Sequence, residues 1–174
     1  MIMLTLSLLR HAKSSWDDPE LEDHERPLAK RGTKDAPRIG AFMAAEELKP
    51  DLVLCSGAVR TRATLTLVLA ELPGRAPEIT YDDEIYLAAP SRLLGRFTKV
   101  KASAHHVLMV GHNPGLHALA LALTGSGERK ALAALAGKFP TAGLAVIDFE
   151  AGSWSEIKPG TGRLRLFVTP RRLP

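Results

Sequence analysis

Three short runs constrain the fold of this chain more than any other feature. Leu4–Leu9, Leu52–Cys55 and His106–Val110 are largely apolar, and each breaks into polar residues after a few positions. Runs of that length without alternation read as strands buried on both faces of a parallel sheet. Helical periodicity separates them. Leu65, Val68, Leu69 and Leu72 recur at i, i+3, i+4 and i+7 in a helix from about Ala58, and Leu116, Leu119 and Leu123 extend another after the third run. A further helix is expected within Ala29–Leu48, with Pro37 either kinking it or lying in its first turn. Glu78–Tyr81 reads as a strand, Ser91–Val100 as helical, and Gly125–Lys130 as a loop. Gly143–Phe149, Ser153–Ile157 and Leu164–Val168 read as closing strands in antiparallel hairpins, punctuated by Gly152, Pro159, Gly160 and Gly162. This order predicts an α/β fold, a three-layer α/β/α sandwich with a mostly parallel central sheet and antiparallel closing strands, in one domain over 1–174.

Composition narrows the function classes. At 174 residues and 45% hydrophobic, the chain can bury a core without metal or disulfide staples, and it is too apolar for intrinsic disorder. Its single cysteine, Cys55, excludes an internal disulfide and fits a reducing compartment. Met1–Leu9 has no basic leader and stops at Arg10, too short for a membrane span, so a cytoplasmic protein is expected. The 23 Lys+Arg against 19 Asp+Glu leave a net charge of +4, which permits an anionic partner without requiring one.

Ligands of open α/β sheets gather at the carboxyl ends of the parallel strands. Three of those ends carry Arg10-His11, Ser56 to Arg60, and His112. The guanidinium fork matches phosphate geometry and is permanently charged. Imidazole is a nucleophile when neutral and a donor when protonated. Asn113 followed by Pro114 can start a helix whose free N–H groups favour an anion. The combination describes a pocket for a phosphoryl group with a nucleophile inside it.

Leu9-Arg10-His11-Ala12 resembles the Arg-His-Gly/Ala signature of the histidine phosphatase superfamily, which includes phosphoglycerate mutase. Ser56-x-x-x-Arg60-x-x-x-Thr64 and Val110-Gly111-His112-Asn113-Pro114 resemble its second and third motifs, in the same order. The run Leu9–Trp16, the short length, and Arg26-Pro27-Leu28 followed by Gly32 are most similar to the SixA-type phosphohistidine phosphatases. The resemblance implies a phosphoglycerate mutase-like fold. It implies in-line attack by His11 to give a phosphohistidine, with Arg10, Arg60 and His112 holding the phosphoryl oxygens, and no metal or cofactor. Glu84 stands where the superfamily's proton donor lies, and Ser14 and Asn113 are candidate phosphate contacts. The implied substrate is a phosphohistidine on a signalling protein, such as a histidine phosphotransfer-type domain. A small phosphate ester is the alternative within the superfamily, and a non-catalytic phosphoprotein-binding module the alternative outside it.

Other groups fit the chemistry less well. Tyrosine-phosphatase loops space cysteine and arginine as Cys-x5-Arg, whereas only four residues separate Cys55 from Arg60, so Cys55 reads as a core residue. His105, His106, His112 and His117 show no metal-ligand spacing. Arg163, Arg165, Arg171 and Arg172 lack the aromatic platforms of a nucleic-acid surface in a chain only 5% aromatic. The polar stretch 14–26 reads as a long surface loop able to close over a substrate, with Trp16 packed under it or lining its groove.

Overall fold

The structure, a computed structural model, describes residues 1–174. One seven-stranded sheet forms its middle layer, built from β1 (Ile2–Arg10), β2 (Leu52–Cys55), β3 (Glu78–Tyr81), β4 (His106–Gly111), β5 (Thr124–Gly127), β6 (Leu144–Ala151) and β7 (Gly162–Val168). The spatial order is β3-β2-β4-β1-β6-β7-β5. β3, β2, β4 and β1 run parallel, β6 is antiparallel to β1 and β7, and β5 lies parallel to β7 at the far edge. β1 therefore stands in the middle of the sheet, parallel to one neighbour and antiparallel to the other. That places its carboxyl end beside those of β4 and β2.

Two cores sandwich the sheet. On one face α1 (Lys30–Ala45) and α2 (Val59–Leu69) bring Ile39, Met43, Leu65 and Val68 onto Leu9, Val53, Val110 and Val146. On the other, α3 (Pro90–Gly95), α4 (Gly115–Leu123) and α5 (Arg129–Gly137) cover Leu4, Leu6, Leu8 and Met109 with Leu93, Leu116, Leu119, Leu123 and Leu135. Alternate β1 side chains thus feed opposite layers, as the pleat requires. The three-layer α/β/α sandwich is as expected. No helix is long and apolar enough to cross a membrane.

Two local expectations are corrected, and an alternative left open at Pro37 is decided. Ser153–Ile157 is not a strand. Trp154–Glu156 is a single 3-10 turn, because the Trp154 ring is buried against Phe97 with centroids 5.8 Å apart, and its indole N–H donates to Ala104 O at 2.5 Å. Gly125–Lys130 is not a loop throughout: 124–127 joins β7 as a short edge strand, and the Glu128 carboxylate then caps α5 through the N–H groups of Lys130 and Ala131. Pro37 lies inside α1 rather than in its first turn. Its i−4 residue, Thr33, is exposed, so water can satisfy the carbonyl that proline leaves unpaired.

Candidate active site

The sheet register brings the three charged strand ends together. Arg10 pairs with Gly111, His11 N donates to Gly111 O at 3.1 Å, and Ser56 N donates to Val110 O at 3.1 Å. The loop after β1 is pressed onto α1 at Gly32, where a Cβ would stand 2.2 Å from Lys13 O. Any side chain there would push the His11 loop off the helix.

His11 is buried, and its Nδ1 lies 2.8 Å from Ala12 O. A carbonyl only accepts, so Nδ1 carries the proton and the lone pair is left on Nε2. Burial pushes this imidazole down to about 4, with Arg60, Arg10 and Arg26 adding to the shift and the Ala12 carbonyl opposing it. The ring is neutral at physiological pH, the form that attacks phosphorus. His112 lies 5.3 Å away between ring centroids, with Nε2 2.8 Å from Ser56 Oγ. Burial, then His11 and Arg60, push it down to about 3.

Arg60 sits in the first turn of α2, nearly inaccessible. One turn later, Thr64 Oγ1 accepts from Ala12 N at 3.0 Å and donates to Arg60 O at 2.7 Å. This single hydroxyl ties the loop bearing His11 to the turn bearing Arg60. Arg10 Nη1 donates to Phe139 O at 3.2 Å, and burial followed by Arg60 lowers its pKa. Arg10 Nε, Arg60 Nε and His112 Nδ1 are buried with no partner in the chain. Buried polar atoms are nearly always paired. Three unpaired ones in one cluster, beside a neutral nucleophilic nitrogen, are what an oxyanion with several acceptor oxygens would satisfy.

Three further groups enter the cluster: Arg26, from the Arg26-Pro27-Leu28 run, and Asp23 and Tyr86, which no motif singles out. The 14–26 segment folds back rather than hanging free: Ser14 bridges Leu28, and Ser15 N donates to Pro27 O at 2.8 Å. Arg26 is buried under it. Its Nε donates to Ser15 O at 3.0 Å, its Nη1 to Asp23 Oδ1 at 2.9 Å and its Nη2 to Ser14 Oγ, while Trp16 stacks on its guanidinium at 3.2 Å. Asp23, in a 3-10 turn at 23–25, receives Arg60 Nη1 on its carbonyl at 2.6 Å and Arg60 Nη2 on its carboxylate at 2.9 Å. Tyr86 donates to the same carboxylate and packs edge-on against His112, with centroids 5.2 Å apart. Tyr86, Arg60 and Arg26 hold the Asp23 carboxyl well below the usual carboxylate range. Arg26-Pro27-Leu28 was the one sequence signal near this network, and it did not point to Asp23.

The remaining candidates have other commitments. Ser14 is buried and engaged by Arg26. Asn113 donates to Phe139 O at 2.8 Å and accepts from His117 N at 3.2 Å, so it serves the first turn of α4, although the helix starts at Gly115 with Pro114 at the cap. The Glu84 carboxylate pairs with Arg92 on the exposed side, and no hydrogen bond or ion pair joins it to His11, His112, Arg10 or Arg60. Cys55 is buried, and its thiol is pushed up to about 12 by burial. Trp16 remains largely exposed beside Arg26.

No protein-family model matches the chain. The uncharacterised protein Rv1276c of Mycobacterium tuberculosis is 39% identical over 165 residues, spanning 94% of this chain and 100% of that protein. Among solved structures, a protein of Agrobacterium tumefaciens provisionally assigned as phosphohistidine phosphatase SixA is 33% identical, covers 98% of this chain and 100% of its own, and superposes with a TM-score of 0.81. A protein of Nakamurella multipartitia with the same provisional assignment is 28% identical, with 98% of both chains covered and a TM-score of 0.81. Similarity of sequence and fold thus runs nearly the full length of the chain, which belongs to the histidine phosphatase superfamily, in its SixA branch, and is a hydrolase of that superfamily.

Proposed function

We propose that this histidine phosphatase removes the phosphoryl group from a phosphohistidine carried by a protein, with His11 as the nucleophile. The provisional assignment of the Agrobacterium and Nakamurella proteins supports the substrate class. The observation that carries the reading is the state of the carboxylates. Asp23, the one hydrogen-bonded into the cluster, is held ionised by three donors, and Glu84 is paired with Arg92. The cluster thus holds an attacking nitrogen and oxyanion donors with no carboxylic acid poised to protonate a leaving group. An alkoxide cannot depart well from such a site. A phosphoimidazole protonated on its second nitrogen departs as neutral imidazole and needs no proton from the enzyme.

In the first step the lone pair of His11 Nε2 forms a P–N bond while the substrate's P–N bond breaks, and that electron pair returns to the leaving imidazole. One P–N bond replaces another of the same kind, so the step is close to balanced in energy. Arg10, Arg60 and His112 face the phosphoryl oxygens and stabilise charge as it shifts. Water then attacks the phosphorus on His11: a P–O bond forms, the P–N bond breaks with its pair returning to Nε2, the water's protons leave on the released phosphate, and Nδ1 keeps its proton, donated to Ala12 O, throughout.

The test is a substrate panel with rapid quenching. A phosphohistidine peptide should exceed glycerol phosphate in kcat/KM by at least about 100-fold, the lower end of what a missing general acid costs an ester. Acid-labile phosphate should appear on His11. Comparable rates on alkyl esters would instead make this a small-molecule phosphomonoesterase.

A further inference from the structure

The rim around His11 is electrically lopsided. Toward β2 and β3 lies the segment 17–25, with six carboxylates and no lysine or arginine, anchored by Asp23 on Arg60. Toward β6 and β7 a cleft of about 590 Å³ opens between the start of α1, the 138–141 segment and the 169–171 turn. Arg31, Arg38, Lys138 and Arg171 converge on it, and Asp35 is its one carboxylate. Two of the four cations, Arg31 and Arg38, are tethered to one carboxylate. Asp35, buried, lies 3.8 Å from Arg31 Nε and 3.2 Å from Arg38 Nη1, and Arg38 Nη2 donates to Pro170 O at 3.1 Å. Lys138 and Arg171 are exposed, and no carboxylate pairs with either.

One wall of this cleft runs directly into the backbone of the catalytic cluster. Phe139 O receives Arg10 Nη1 and Asn113 Nδ2, and Ala142 N donates to Arg10 O at 3.1 Å and His11 O at 3.0 Å. A macromolecule presenting a phosphoryl group to His11 therefore meets the cleft as its next surface on the β6 side.

We propose that the cleft docks the acidic flank of the phosphohistidine-bearing partner, whose carboxylates seat among Arg31, Arg38, Lys138 and Arg171. The inference rests on the substrate reading given above and adds a direction to it. A uniformly negative polymer such as nucleic acid would be repelled by the six carboxylates across the rim. A protein face acidic on one side of its phosphohistidine and neutral or basic on the other suits both flanks, and this fixes its orientation as well as its affinity. Because Asp35 and Pro170 already hold Arg31 and Arg38, little side-chain freedom is lost at those two on docking.

Two short phosphohistidine peptides, phosphorylated with phosphoramidate and differing only in Glu or Ala flanks, test the cleft. The native enzyme should favour the acidic peptide in kcat/KM by about tenfold at low salt, the scale of two or three solvent-facing ion pairs, and lose that preference at high salt. In K138E/R171E the preference should vanish, and in K138A/R171A it should fall part-way. A native preference near one, or an equal preference in the variants, overturns the proposal. The unphosphorylated peptides, labelled for fluorescence anisotropy, read the cleft separately from the chemistry. If neither phosphopeptide is hydrolysed while para-nitrophenyl phosphate is, the substrate reading fails, and tighter binding of the acidic peptide still sustains the cleft. A single-stranded oligonucleotide binding more tightly than the acidic peptide would reassign it to nucleic acid.

Discussion

Asp23 occupies both terminal nitrogens of Arg60, one through its carbonyl and one through its carboxylate. Arg60, the proposed phosphate ligand, is thus oriented by an internal anion, with only Nε left unpartnered. The carboxylate is itself partly exposed at the mouth of the cluster, so it repels an incoming phosphoryl group while it aims the guanidinium. Asp23→Asn keeps the shape and removes the charge. Inorganic phosphate should inhibit this variant about fivefold more tightly, the scale of one partly solvated charge pair, while kcat falls as Arg60 loosens. Weaker inhibition by phosphate would show that Asp23 contributes only by positioning.

Replacing His11 with alanine removes the nitrogen proposed to attack phosphorus. Turnover should fall by at least about 10³-fold, with no acid-labile phosphate trapped after quenching. The variant should remain folded, since His11 lies just past the end of β1 and its side chain makes a single hydrogen bond, to Ala12 O. Near-native rates would refute its role as nucleophile.

The pH profile follows from the two buried imidazoles. His11 at about 4 must be neutral to attack, so kcat/KM should stay level from neutrality down to roughly that pH and then fall with acid. A bound phosphoryl dianion favours the protonated rings, so the acid limb of kcat should lie higher in pH than that of kcat/KM. Stability carries the same sign. His11, His106 and His112 all have folded values below the ordinary 6.5, so the unfolded chain binds more protons in between. Tm should hold above pH 6.5 and decline as the pH falls toward 4. A Tm independent of pH across that window would contradict the burial of these rings.

Thr64 tests the link between two motifs. Thr64→Val strands Ala12 N, a buried donor, and removes the bond to Arg60 O, at a cost of about 1–3 kcal/mol in urea denaturation. Activity should fall mainly through kcat, because both the His11 loop and the Arg60 turn lose their shared tether. A stable variant with unaltered kcat would leave Thr64 as ordinary core.

Glu84→Gln discriminates between proton donor and surface ion pair. With its carboxylate on Arg92, the change should alter kcat/KM by no more than about twofold on any substrate. A general acid would lose about 10²–10⁴-fold on alkyl esters.

The sequence exposed those parts of the site that the strand register enforces. Arg10, His11, Arg60 and His112 each follow a short buried run, and parallel pairing leaves their strand ends nowhere else to go. Asp23 was illegible for the opposite reason. It lies 37 residues from Arg60 in a loop whose course is fixed by Arg26, Ser14 and the Ser14–Leu28 bridge, none of which has a periodic signature. Tyr86 sits two residues beyond Glu84, and only the fold shows which of the pair turns inward. At Trp154 the segment between Gly152 and Pro159 reads as a closing strand, but the burial of one large ring against Phe97 overrides it. The edge strand at 124–127 is polar and glycine-rich, and it is defined by β7 rather than by its own residues.

β1 also settles how this enzyme can be handled. Its first residues pair with Ala151 at one end of the sheet and its last with Gly111 at the other, so the strand separates Ile2 from Arg10 by roughly 26 Å. A biotin or tag attached ahead of Ile2 would emerge from the pole opposite the phosphoryl site. Molecules immobilised that way would present both flanks of the rim to solution, the orientation a biosensor needs to weigh one phosphoprotein against another.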